Sequence, residues 1–354
     1  MISAGVIFIL PIIASVIPAL SSEFKSTATL TMDAKQAYSH RTVMDIDKLR
    51  LSGIKVTTIT DTIHVIQGNN RSRSPFSNAI LILDKTHALI DPGCGTEITQ
   101  KIARTIGIDI VITSHSHPDH TAGVHLIQEI SNPHVAVPQE HAQSIYSADS
   151  LALRFVDKDM VQLWKDYYLP ITGFRDFTPT MCFAHGHEFS FGENRFIALH
   201  TPGHLEDHYC LFEPDQKIVA GFDIDLSPFG PWYGNPESDI DQFKESIDLV
   251  SRLDAEIYIT SHSKPVKDAY ISKRMDTYTK AFHERDDTIL RAMSMNNWSD
   301  LEDIVMQSPI YQVDHSRPDR LLIYGETQMV LKHIQGLAEK GRIIHQDGKY
   351  RRAY

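Results

Sequence analysis

From Ile54 onward the chain reads as short apolar runs alternating with helical stretches. Residues 56–59, 63–67 and 79–83 are rich in Val, Ile and Thr and are bounded by Gly, Asn and Asp, the punctuation of strands. Ala88-Leu89-Ile90 is another such run, stopped by the turn signal Asp91-Pro92-Gly93. Residues 96–106 have the spacing of a helix, and Asp109-Ile-Val-Ile-Thr113 that of a buried strand. Strand patterns return over residues 189–211, with a turn near Gly192-Glu193-Asn194, and again at 218–220 and 256–260. An amphipathic helix is predicted over 239–253. This alternation predicts an α/β layered domain.

Two segments break the rhythm. Residues 139–180 look helical, with Trp164, Tyr167, Tyr168, Phe174 and Phe177 set among charges, as in a helical pair packing its aromatics inward or a lid over a pocket. After residue 268 the pattern is helical: 275–295, then a capping box at Ser299-Asp-Leu-Glu302, then 328–340 stopped by Gly341. Arg342-Ile-Ile344 and Gly348-Lys-Tyr350 predict a small terminal β wing. The predicted layout is an apolar segment at 1–21, a linker at 22–50, a catalytic domain at 51–268 and a helical region at 269–354.

Residues 2–20 are uncharged, but Pro11 and Pro18 interrupt them and no Lys or Arg precedes them. A signal, a membrane anchor, and an extension upstream of a start at Met32 or Met44 all fit. The protein is expected in the cytoplasm if this segment is not a targeting sequence, and anchored or exported if it is. Membrane contact is expected only through residues 2–20.

Composition narrows the function. Of 354 residues, 42% are hydrophobic and 22% charged, an ordinary globular mix. The net charge of −11 argues against nucleic acid as the main partner, because phosphates demand a positive field. Cys94, Cys182 and Cys210 stand far apart and read as small hydrophobes rather than a disulfide framework. The nineteen histidines are unusual in number and fall in clusters.

The densest cluster is His115-Ser-His117-Pro-Asp119-His120, directly after a predicted strand. Three imidazoles and a carboxylate in six residues suit a divalent metal. His115 and His117, two apart, point the same way in extended backbone, while Asp119 and His120 can turn toward a second ion. His204, Asp223 and His262 each follow an apolar run of their own, where α/β sheets place their sites. No GxSxG elbow is present, so covalent catalysis is unsupported.

The set HxHxDH, Pro202-Gly203-His204, an Asp after a strand, and Ser261-His262 before Lys264-Pro265 resembles the metallo-β-lactamase-fold hydrolase superfamily, over residues 54–267. The resemblance implies a four-layer αββα sandwich with a dinuclear zinc site at one edge. Carried over by position, His115, His117 and His204 would bind one zinc, Asp119, His120 and His262 the other, and Asp223 would bridge them. Asp91 would support the site from behind the ligands. The donors leave iron and manganese open. Phe222 stands between Gly221 and Asp223, where the family often has Gly directly before the Asp, which leaves Asp225 as a competitor. His208 is expected in packing or in support of a ligand, and His185, His187 and His200 in structural or exposed positions.

The activity implied is hydrolysis by a metal-bound hydroxide, with Asp119 orienting the nucleophile or moving its proton. The substrate expected is a small thioester, ester or lactone. The loop after Asp223 places Phe229, Trp232 and Tyr233 within five residues, as the lining of an apolar pocket or as a rigid plug. Lys264 is either a substrate contact or an ordinary exposed lysine. The C-terminal region resembles the winged-helix-like tail of some family members, one branch of which is endoribonucleolytic. The basic end Lys340, Arg342, Lys349, Arg351 and Arg352 keeps a phosphodiesterase reading as the alternative.

Overall fold

The computed structural model describes residues 43–140, 142–267, 270–314 and 319–354. The apolar segment at 1–21 lies outside these residues. A first sheet holds seven strands in chain order: β1 (Val56–Thr58), β2 (Ile63–Ile66), β3 (Ala79–Leu83), β4 (His87–Ile90), β5 (Ile110–Ile112), β6 (His134–Pro138) and β7 (Met181–Phe183). Strands β1 to β4 are antiparallel and β4 to β7 parallel. A second sheet holds β8 (Glu188–Ser190), β9 (Arg195–His200), β10 (Tyr209–Glu213), β11 (Ile218–Phe222), β12 (Ile257–Thr260) and β13 (Val266–Lys267), also as successive neighbours. Within it β11 and β12 are parallel.

Strand alternation explains the layering. All five residues of β3 are buried, yet they enter two cores. Ile80 and Ile82 meet Ala198, Leu211 and Ala220 of the second sheet, between the sheets. Ala79, Leu81 and Leu83 face outward into a core with Ile102, Val124, Leu151 and Trp164, carried by covering helices. A strand apolar on both faces is what a central sheet layer requires. The second sheet repeats this: Ile218 and Ala220 point between the sheets, while Val219 points to the helices Ile240–Ser251, Ile271–Arg291 and Arg320–Glu339. The order of layers is helices, sheet, sheet, helices, as the resemblance implied.

Some boundaries differ from the sequence reading. Residues 43–51 are helical although 43–50 fall in the predicted linker, and their Ile46 and Leu49 are buried in the outer core of the first sheet. The capping box sits one residue later than predicted, with Asp300 as the cap and Asp303 reaching back. The last helix begins at Arg320, not near 328, because the Asp319 carboxylate accepts from the Leu321 and Leu322 amides. The terminal hairpin β14 (Ile343–Gln346) and β15 (Lys349–Arg352) forms as expected. Residues from Thr42 to the C-terminus make one compact unit, so the C-terminal helices share a core with the sheets. Cys94 and Cys210 are buried, whereas Cys182 on the edge strand β7 is exposed. Among the described residues no helix is long and apolar enough to cross a membrane.

Candidate metal centre and its cleft

The C-terminal ends of β4, β5, β9, β11 and β12 lead into the segments that carry Asp91, the 115–120 cluster, His204, Asp223 and His262 respectively. Tight backbone packing holds these loops. Gly93 lies against the Asp119 carbonyl, and a Cβ there would overlap it. Gly203 has φ of +121° and abuts the Phe243 backbone, so only glycine fits the turn that delivers His204. The extra residue before Asp223 is absorbed by a bulge, in which the β11–β12 register shifts between Ala220 and Phe222 and Phe222 takes φ of +49°.

The predicted ligands come together. His117 Nδ1 lies 3.1 Å from His115 Nε2 and 3.0 Å from His204 Nε2. Asp223 Oδ2 is 3.2 Å from His204 Nε2 and 3.8 Å from His115 Nε2. The other oxygen, Oδ1, is 3.2 Å from His120 Nε2 and 3.4 Å from His262 Nε2, which in turn lies 3.7 Å from Asp119 Oδ2. The donors of His115, His117, His204 and Asp223 fall within 4.8 Å of one another, as do those of Asp119, His120 and His262. One carboxylate therefore faces both groups.

Asp91 also lies within such a group with His115 and His120, but its oxygens are engaged. They accept from the Ser114 amide at 2.7 Å and the Ser114 hydroxyl at 2.6 Å, and lie 2.8 Å from His120 Nδ1. His204 Nδ1 lies 2.8 Å from the Trp232 carbonyl, and His262 Nδ1 lies 2.8 Å from that of Ser72. Each of these imidazoles thus has its outer nitrogen anchored and its inner nitrogen turned toward the site.

A cation fits this donor set. His120 Nε2 and Asp223 Oδ1 are fully buried and, although 3.2 Å apart, make no hydrogen bond of acceptable geometry with each other or with any other group. An unsatisfied buried polar group costs about 1–3 kcal/mol, so two of them in one pocket call for a partner. Burial, then neighbouring imidazoles, hold His115 and His117 well below the usual histidine range, leaving neutral nitrogen lone pairs. Burial pushes Asp223 upward, but the charges of His120 and His262 outweigh it and keep the carboxyl ionised. Burial likewise opposes the charge on His262, and Asp223 outweighs it, raising this imidazole to about 10.

The cluster opens into a cavity of about 550 Å³. Phe155, Trp164, Tyr168, Phe229 and Trp232 supply its apolar walls. Of the three aromatics after Asp223, Phe229 and Trp232 line the cavity and Tyr233 does not. Its ring is fully buried in the second core, where its hydroxyl lies 2.6 Å from His333 Nε2 and accepts from Arg285 at 3.0 Å. Asp225 lines the cavity outside both ligand groups, and burial first of all raises it to about 6. His208 is buried behind the site and accepts from the Asp223 amide at 3.3 Å. His185 and Lys264 are exposed, and neither lines the cavity.

Sequence reasoning missed three contributors. Ser114 joins Asp91 to His115, lying 2.9 Å from His115 Nδ1. The Asn235 amide lies 2.6 Å from His117 Nε2. Arg154 is buried beneath the histidine loop, donating to Ser116 at 2.6 Å and to Asp207 at 3.1 Å and pairing with Glu237. Ser114 was readable from its place at the strand end. Asn235 and Arg154 carry no spacing signal, since they come from an irregular loop and a separate helix.

Comparison with known proteins gives the family and the fold. The profile of the Metallo-beta-lactamase superfamily matches residues 74–262. The hydroxyacylglutathione hydrolase of Francisella philomiragia is 23% identical over 180 residues, covering 50% of this chain and 58% of that protein. That of Francisella tularensis subsp. novicida is 25% identical over the same shares. The chain thus spans a little over half the length of these curated relatives. Among solved structures, a beta-lactamase domain protein from Burkholderia ambifaria superposes with TM-score 0.64 at 16% identity, covering 84% of this chain and 94% of that one. A metallo-beta-lactamase family protein from Thermus thermophilus gives 0.61 at 17% identity, covering 78% and 93%. At these identities the structures establish the fold.

Proposed function

The chain belongs to the metallo-beta-lactamase superfamily, and from that premise we propose that it is a hydrolase that holds two divalent metal ions, zinc by the chemistry of its donors, and cleaves a small-molecule thioester, ester or lactone. The observation that carries this reading is the two-sided Asp223 carboxylate, with histidine nitrogens converging on each oxygen. His115, His117 and His204 would hold one ion and Asp119, His120 and His262 the other, with Asp223 between them. Bound there, such ions supply Lewis acidity and acidify a water molecule.

The chain's own groups do the rest. Asp119, half-buried at the cavity wall, accepts and moves the proton of the attacking water. Asp91 holds His120 through Nδ1 and so fixes which nitrogen it turns inward. The aromatic walls receive the acyl portion and exclude water. Thioester ranks first because the hydroxyacylglutathione hydrolases named above are among the relatives.

The basic C-terminal end does not favour a nucleic-acid substrate. Arg351 donates to the Met295 carbonyl and lies over Trp298, Lys349 pairs with Asp300, and Arg352 donates to the Tyr354 carbonyl. Metal analysis of the purified protein, followed by thioester, ester, lactone and RNA substrates, tests the proposal. Two equivalents of metal with thioester or ester turnover is expected. Metal-free protein, or cleavage of RNA alone, would overturn it.

A further inference from the structure

A second chamber adjoins the metal-facing cavity. Its volume is about 380 Å³, and it shares Ser74, Tyr168, Phe229 and Trp232 with the larger one. The C-terminal region contributes Tyr311, Leu321 and Leu322 to its lining, and Tyr167 completes the apolar part. Asp319 is its one charged lining residue, and that carboxylate is spent on the amides opening the last helix. A chamber of this volume holds on the order of ten waters, or a like number of methylenes. The chamber is open to solvent on one side, and an apolar group laid along these aromatic and leucine side chains gains by removing their surface from water.

The partition between the chambers is fixed from behind. Trp232 donates through Nε1 to the Tyr311 hydroxyl at 2.9 Å. Phe229 stands 5.7 Å from the Tyr311 ring, centroid to centroid, and the Arg285 guanidinium lies 4.6 Å over its face. Arg285 also donates to the Phe229 carbonyl at 2.6 Å and to the Pro231 carbonyl at 2.5 Å. This loop is pre-formed, as a specificity wall must be.

We propose that the substrate carries a long or bulky apolar acyl group, which runs from the metal-facing cavity past Trp232 into the chamber walled by Tyr311, Leu321 and Leu322. The C-terminal helices thereby select the acyl chain. This inference rests on the hydrolase reading, and a small polar acyl group would leave the second chamber to water.

The test uses the full-length, metal-loaded protein and N-acetylcysteamine thioesters of acetate, octanoate and dodecanoate. The catalytic efficiency kcat/KM should rise at least tenfold from acetyl to octanoyl, mainly through KM. Leu321→Trp, which fills the chamber, should erase most of that rise. Leu322→Arg, at an exposed position that tolerates change, should do the same by charging the wall. A flat profile across the series, or equal losses on acetyl and octanoyl substrates in both variants, overturns the proposal. If no thioester is cleaved, that preference within the hydrolase reading fails and the chamber is tested by calorimetry with the free acids. Octanoate binding at least tenfold tighter than acetate, and losing that margin in Leu321→Trp, upholds the chamber; equal binding overturns it.

Discussion

His117 Nε2 lies 2.6 Å from the side-chain amide of Asn235, on the side of the ring opposite the convergent Nδ1. The facing atom is Asn235 Nδ2; if Nδ1 takes a cation, Nε2 keeps its hydrogen and needs an acceptor, which Asn235 supplies once its amide turns over to present Oδ1. Asn235→Ala should weaken metal retention by about 10–100-fold, the usual cost of losing such an anchor. Competition with a chelator measures it, and unchanged retention would remove Asn235 from the site's support.

The two ligand groups should be separable. His115→Ala with His117→Ala should remove one equivalent of metal and the activity, leaving the fold intact by circular dichroism. His120→Ala with His262→Ala should remove the other. Full metal content in either double variant, by mass spectrometry of the purified protein, would refute that half of the assignment.

Arg154 is buried between Glu237, Asp207 and Ser116. Arg154→Met strands two carboxylates in a buried setting, and breaking one side of such a network costs about 3–5 kcal/mol. Urea unfolding should show a loss of that order. A change under about 1 kcal/mol would mean that water reaches the carboxylates freely.

Lys332 donates to the Asn235 carbonyl at 2.7 Å, and burial lowers its pKa to about 8 against the nearby Asp239 and Glu237 charges. Between pH 8 and the ordinary lysine value of about 10.4, the unfolded chain binds more protons at this residue than the folded one. Stability from this group therefore rises with pH across that window and falls away below it. Relative to Lys332→Met, the wild type should gain about 2 kcal/mol on going from pH 7.5 to 10. Parallel unfolding curves for the two proteins at both pH values would show that Lys332 is solvated.

Much of the candidate site was legible because its residues sit where a strand stops. The two-residue spacing of His115 and His117 and the apolar runs before His204 and His262 are local features. Asp223 was legible despite Phe222, and the bulge in β11 shows how the chain takes up the extra residue. The aromatic loop was harder. Trp232 and Tyr233 are adjacent and chemically alike, and no periodicity says which ring enters the cleft. Arg285 on its distant helix decides it by holding Tyr233 in the core. The start of the last helix was missed because Leu321, Tyr324, Ile323 and Met329 are divided between two cores, which blurs the single apolar stripe that marks a surface helix.

Trp232 has two attachments: its carbonyl lies 2.8 Å from His204 Nδ1, and its ring is tied to Tyr311. Replacing it to broaden substrate range would disturb an imidazole of the candidate metal centre as well. Natural drift or directed evolution toward new acyl groups should therefore accumulate at Leu321 and Leu322, in the lining of the adjoining chamber, where change leaves the histidines of the proposed metal site untouched.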